Sequence, residues 1–267
     1  MAILYAFLII AGIGALLGLG LAIADKKLAV EKDEKLIALE QIMPGANCGG
    51  CGFAGCADYA AAVASGKAQP GLCSPGGKDL ADKMGEIMGV EVTVGEKMVA
   101  YIFCNGSCEK TKKDYDYRGL TDCNAASLLF KGDNGCKYGC LHLGSCMAVC
   151  ESEAIYRKDD GTLAVDPKKC IGCGKCTKVC PNGVIKLIED RTAYVVACNS
   201  HDKGADVRKV CEVGCIGCKI CQVKFPEAGF KVEDNLAVSS PTAPEEQAAL
   251  AMAACPRKII TKRGGLF

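Results

Sequence analysis

The chain has no tryptophan and only two histidines, His142 and His201, far apart in sequence. Ordinary Cys/His zinc sites and His-centred nucleophile or acid–base arrangements therefore lack their key residue. Charge of one sign is missing too. Lys and Arg number 32 against 31 Asp and Glu, a net charge of +1, so no global field favours nucleic acid. The glycine-rich stretches carry cysteines where a phosphate loop needs lysine, and no strand-to-helix turn resembles a dinucleotide site. Flavin or nicotinamide chemistry thus has no apparatus of its own here.

Cysteine is what the chain has in excess, 21 residues in 267. A secreted disulfide scaffold can reach such a density. Yet the odd count and the repeated C-x2-C-x2-C spacing, which crowds thiols onto one tight loop, argue against it. Structural zinc fits the spacing less well than iron–sulfur clusters do.

The cysteines repeat with an offset of 75 residues. Cys136, Cys140, Cys146, Cys150 and then Cys170, Cys173, Cys176, Cys180 map onto Cys211, Cys215, Cys221, Phe225 and then Glu245, Ala248, Ala251, Cys255, with Cys218 extra opposite Leu143. In two-cluster ferredoxins the fourth cysteine of each run ligates the other run's cluster. Losing one cluster should therefore remove three cysteines of one run and the fourth of its partner. The replaced set, Glu245, Ala248, Ala251 and Phe225, is that set. The pattern is a ferredoxin unit built twice, with one cluster deleted as a whole.

The crossed rule assigns Cys170, Cys173 and Cys176 with Cys150 to one [4Fe–4S] cluster, and Cys215, Cys218 and Cys221 with Cys255 to another. Cys140, Cys146 and Cys180 form a third set, with Cys136 as its expected fourth ligand, a three-iron cluster being the alternative. Cys123-x12-Cys136 is matched by Cys198-x12-Cys211, so a further cluster is expected at Cys104, Cys123, Cys198 and Cys211, leaving Cys108 free. A local set of Cys104, Cys108, Cys123 and Cys136 would rob the neighbouring cluster, and the remaining alternative is buried free thiols. Upstream, Cys48-x2-Cys51-x4-Cys56 on a glycine-rich turn, with Cys73 returning after a helix, predicts another cluster. The total expected is about five [4Fe–4S] clusters, with four as the fallback.

Residues 2–24 carry no charged side chain and would reach about 34 Å as a helix, enough for a hydrocarbon core of about 30 Å. With Lys26 and Lys27 following, this predicts a single transmembrane helix, N-terminus outside and the remainder cytoplasmic. Gly14 and Gly18 form a GxxxG step suited to a partner helix. The expected fold is α+β: a transmembrane anchor over 1–25, a linker helix over 26–43, a four-cysteine domain over 44–89, and a connecting hairpin and cysteine segment over 90–122. Ferredoxin-like repeats over 123–197 and 198–267 complete it. The basic tail, Lys258, Lys262 and Arg263, reads as a solvated terminus.

Taken together these features resemble the B subunit of Rnf-type ion-translocating ferredoxin:NAD oxidoreductases. The carriers are the uncharged first segment, Met43-Pro44-Gly45-Ala46-Asn47-Cys48-Gly49-Gly50-Cys51-Gly52 with Gly55-Cys56, and Cys73-Ser74-Pro75-Gly76-Gly77. Further matches are Asp122-Cys123-Asn124-Ala125-Ala126, Cys136-Lys137-Tyr138-Gly139-Cys140-Leu141 and Gly214-Cys215-Ile216-Gly217-Cys218. The resemblance implies an electron-transfer subunit without substrate chemistry of its own. It would take electrons from reduced ferredoxin and relay them through the clusters to membrane-integral and flavin- or iron–sulfur-bearing partner subunits that move Na+ or H+. The implied setting is a bacterial or archaeal inner membrane. A tethered polyferredoxin reducing a redox-sensing regulator or another acceptor is the alternative.

Overall fold

The computed structural model describes residues 2–28, 33–92 and 96–263, and within the first stretch the side chains of 10–23. Helix α1 runs Ala2–Leu28. The transmembrane anchor expected there is corrected: no helix among the described residues is long and apolar enough to cross a membrane. The single-pass topology with an external N-terminus loses its support with the anchor.

The linker helix is expected over 26–43, of which 29–32 lie outside the described residues. Helix α2 occupies Glu34–Ile42, with the Asp33 carboxylate accepting from the Lys35 amide at its start. It packs on α3 (Cys56–Ala64) and α4 (Gly77–Met88). Leu39, Tyr59, Val63, Leu80 and Met84 form the buried core among them, with Cys73 at its edge. Gly89 ends α4 in the left-handed conformation that glycine adopts most cheaply.

The first repeat opens on β1 (Met98–Ile102). It continues through α5 (Cys123–Ser127), α6 (Ser145–Ala148), β2 (Ile155–Arg157), β3 (Leu163–Val165), α7 (Lys175–Lys178) and β4 (Ile185–Glu189). The second has β5 (Tyr194–Val196), α8 (Gly204–Val210), α9 (Ile220–Val223), β6 (Phe230–Glu233), β7 (Leu236–Ser239), α10 (Glu245–Ala254) and β8 (Ile260–Lys262). In each repeat the opening strand pairs antiparallel with the last, β1 with β4 and β5 with β8, beside a hairpin, β2–β3 or β6–β7. The local hairpin expected around Gly95 is therefore not the partner of 98–102, whose register runs Val99 opposite Ile188 and Tyr101 opposite Lys186. Residues 93–95 lie outside the described residues.

Adding 75 to the starts of α6, β2 and β4 gives those of α9, β6 and β8, so the cysteine offset is also a structural one. The opening strands break the rule. The Phe103 amide donates to Val184 O at 2.7 Å and the Ala197 amide to Ile259 O at 2.9 Å. The acceptors are 75 residues apart and the donors 94. Cys104 and Cys198, which follow those donors, are thus structural equivalents.

Where the second repeat has no counterpart of the Cys170–Cys176 run, the chain forms α10. Ala248 and Ala251 are fully buried, three residues apart on one helical face, and Phe225 packs against the same core. Small side chains let the helix sit close, and the Phe225 ring fills volume beside that core. The tail differs from expectation as well. The Arg263 side chain is only 10% exposed, ion-pairs with Asp190 at 3.1 Å and donates to Glu189 O, Asp190 O and Thr192 O. It clasps the β4–β5 turn through three of its backbone carbonyls. Replacing Ala248 with Leu should overpack this core and cost about 1–3 kcal/mol in anaerobic denaturant unfolding, with no loss of iron. An unchanged midpoint would show that the site is not closely packed.

Candidate metal centres

Twenty of the 21 cysteines gather into five groups of four. Set I is Cys48, Cys51, Cys56 and Cys73, whose last thiol feels the other three. The Asn47 side chain accepts from the Cys56 amide at 2.8 Å, tying the Cys48–Cys51 turn to the start of α3. The Tyr59 hydroxyl donates to Gln69 O and accepts from the Leu72 amide, which carries the returning loop to Cys73.

Set II is Cys150, Cys170, Cys173 and Cys176, around a cavity of about 330 Å³. The Ala100 and Ala154 amides donate to Cys170 and Cys150 Sγ, each at 3.3 Å. At Gly172, with φ +66°, a Cβ would stand 2.4 Å from Met98 O, so only glycine lets the ligand loop lie against β1. Set V, Cys215, Cys218, Cys221 and Cys255, lines a further cavity and has Cys218 exposed at its rim.

The remaining sets depart from the expected assignment by one exchange. Cys123, Cys140, Cys146 and Cys180 line one cavity of about 360 Å³, set III. Cys104, Cys136, Cys198 and Cys211 line another of about 370 Å³, set IV. Cys136, expected beside Cys140, Cys146 and Cys180, thus stands in set IV, and Cys123 takes its place. The misassignment has a physical source. The 75-residue offset pairs Cys123 with Cys198, whereas the opening strands make Cys104 the equivalent of Cys198. Set IV is therefore built at the junction of the repeats from two equivalent pairs, Cys104 with Cys136 and Cys198 with Cys211. Cys108 is exposed and lines none of the four cysteine cavities.

Neighbouring sets touch. The Cys140 amide donates to Cys104 Sγ at 3.3 Å, joining III to IV, and the equivalent Cys215 amide donates to Cys198 Sγ at 3.4 Å, joining IV to V. Cys146 lies near enough to Cys176 to perturb it, joining II to III. A Cβ on Gly50 would stand 3.0 Å from Cys173 O and 3.5 Å from Cys48 Sγ, so set I rests against set II. The order is unbranched, I–II–III–IV–V.

Burial, and then the neighbouring thiols, push Cys104, Cys136, Cys146, Cys198 and Cys221 up to about 11 and Cys176 up to about 12. Cys140 is driven up as well, by burial first and then by Cys104. Such thiols keep their protons unless a cation replaces them, so loading with metal releases protons. The residues fit iron–sulfur groups. Four similar cavities are each lined by four sulfurs, with amides aimed at sulfurs of sets II, III and IV. In set IV the buried Thr111 hydroxyl, with no partner of its own, stands in the cavity wall.

Two supporting residues carry no signal that sequence reasoning used. Asn134, 6% exposed, accepts from the Cys136 amide and donates to Cys140 O, locking the ligands of sets IV and III together. Arg257 donates to Cys211 O and Gly214 O, bridging sets IV and V. Each stands two residues from a ligand, Asn134-Gly135-Cys136 and Cys255-Pro256-Arg257, and that proximity is the one trace the sequence holds. Burial pushes the pKa of His142 down, so its ring is not a cationic centre near neutral pH.

A family model for an Fe-S cluster matches residues 43–75, enclosing set I. One for a 4Fe-4S binding domain matches 163–186, enclosing three ligands of set II and Cys180 of set III. The B subunit of the Na(+)-translocating ferredoxin:NAD(+) oxidoreductase complex of Acetobacterium woodii is 39% identical over 84% of this chain and 67% of its own length. The B subunit of the ion-translocating oxidoreductase complex of Methanosarcina acetivorans is 38% identical over 86% of this chain and 87% of its own. The chain belongs to this B-subunit family. A further member, the B subunit of the proton-translocating ferredoxin:NAD(+) oxidoreductase complex of Clostridium ljungdahlii, is 38% identical over 85% and 80%. Neither family model reaches set IV or V, so those two sets rest on the geometry above.

The exchange of Cys123 and Cys136 is tested by paired substitutions. Cys123→Ser with Cys140→Ser should cost no more iron than either alone, about four irons per chain, because both remove set III. Cys123→Ser with Cys136→Ser should cost about eight. Anaerobic iron and sulfide analysis decides; a loss of about eight irons from Cys123→Ser with Cys140→Ser restores Cys136 to the Cys140 group.

Proposed function

We propose that this chain is the electron-relay subunit of an ion-translocating ferredoxin:NAD oxidoreductase complex, with five [4Fe–4S] groups held by sets I to V. The observation that carries the reading is the unbranched row itself, in which every adjacent pair of sets is joined through a ligand amide, a ligand backbone or a pair of nearby thiols. A [4Fe–4S] group bound at such a set accepts and releases one electron at a potential set by hydrogen bonding and exposure.

The residues of the chain do the rest. Cysteine thiolates hold each group, amides of Ala100, Ala154, Cys140 and Cys215 donate to the ligating sulfurs, and apolar side chains keep water from the middle of the row. Set V, with exposed Cys218, is the end at which reduced ferredoxin would dock. Set I, at the opposite end, would deliver electrons to redox centres in partner subunits. Ion translocation requires a membrane, so the chain would work at one, held by those partners, and the ion path and the nicotinamide chemistry would belong to them. The A. woodii relative is named for Na+ and the C. ljungdahlii relative for protons, so the family name alone does not select the ion.

Anaerobic purification should give a brown protein with about twenty irons per chain; about sixteen would reduce the count to four groups, and a colourless zinc-loaded chain would end the proposal. In the assembled complex, Cys51→Ser should leave sets II to V reducible by ferredoxin while abolishing reduction of the partner subunits. Normal partner reduction in that variant would refute the order.

A further inference from the structure

Thr111 is 7% exposed, and its Oγ1 has no hydrogen-bond partner, a costly condition for a buried hydroxyl. It lines the set IV cavity, and its backbone forms an isolated antiparallel bridge with Cys211, one of the ligands. A Cβ on Gly106 would stand 2.5 Å from this hydroxyl and 3.7 Å from both Cys104 Sγ and Cys211 Sγ. The hydroxyl thus occupies the space that Gly106 leaves open, beside two of the four sulfurs.

We propose that Thr111 is a positioning residue for set IV, its hydroxyl donating a hydrogen bond to a sulfur of the group held there and raising that group's reduction potential. The inference rests on the reading of set IV as a [4Fe–4S] site. Reduction adds negative charge to the group and strengthens a hydrogen bond to its sulfur, so the donor favours the reduced form. The second repeat has no counterpart, since the hydroxyl lies in the segment by which the opening strands exceed the 75-residue offset. In an ordered row such a donor makes the middle of the path easier to reduce than its own amide hydrogen bonds alone would.

The test uses the full chain with its clusters loaded, titrated by potentiometry with EPR detection. The signal assigned to set IV is the one absent from Cys211→Ala. Thr111→Val should shift that signal alone to lower potential, and Thr111→Ser should restore it. An exchangeable proton coupled to the reduced group, seen by ENDOR as a difference between H2O and D2O, should be present in the native chain and Thr111→Ser and absent in Thr111→Val. Gly106→Ala, whose Cβ displaces the hydroxyl without removing it, should shift the same signal in the same direction. Equal potentials and couplings across the variants would overturn the role. So would a Thr111→Val chain that merely loses iron while Gly106→Ala keeps the native potential. If instead Cys211→Ala costs no iron, it is the set IV site itself that fails.

Discussion

Cys104 and Cys198 each accept a hydrogen bond from the amide of a ligand of another set, Cys140 and Cys215, and the architecture depends on that pair of contacts. Each of the two sulfurs follows the strand that opens its repeat, and each strand is held by antiparallel pairing to the last strand of the same repeat. The pairing delivers the two sulfurs to the junction, and the amide contact sets how close the next ligand loop approaches. A repeat arranged this way presents half of a four-sulfur site at its edge. Two repeats complete it.

The same constraint explains why so little conventional core is needed. The strands are three to five residues long and the sheets only two-stranded, each too small to be stable alone. Apolar clusters fill the gaps, yet cysteines are members of all of them. Ligation and folding are coupled in such an arrangement, since buried thiols gain their partner only when metal replaces the proton. Where the second copy lacks the cysteine run of the first, a regular helix and buried alanines supply packing.

Much of the site was legible in the sequence because ligand loops are local. Three cysteines at C-x2-C-x2-C spacing sit on one turn, and the crossed fourth ligand follows from the repeat, so the groupings at Cys150–Cys176 and Cys215–Cys255 need only the spacing. The helix before Cys73, Cys56–Ala64, follows from its alanine content and the glycine that stops it. The exchange of Cys123 for Cys136 was not legible, because two registers coexist in the chain. The ligand runs keep an offset of 75, while the opening strands are offset by 94, and only strand pairing shows which one governs Cys104. Thr111, Asn134 and Arg263 were invisible for a related reason: a threonine, an asparagine and a terminal arginine have meaning only once burial removes water as their partner.

By itself, then, the sequence determined the chemistry: thiolates in number and spacing for iron–sulfur groups, and a duplicated unit whose second copy lacks one cysteine run. Those are properties of neighbouring residues, set by how few bonds separate one sulfur from the next. The tertiary structure decided which sulfurs face one another across the junction, in what order the sets run, and that among the described residues no helix is long and apolar enough to cross a membrane. The order depends on contacts between segments as distant as Cys48 and Cys173 or Cys104 and Cys140. Such contacts are made by strand register and packing, which no local spacing encodes.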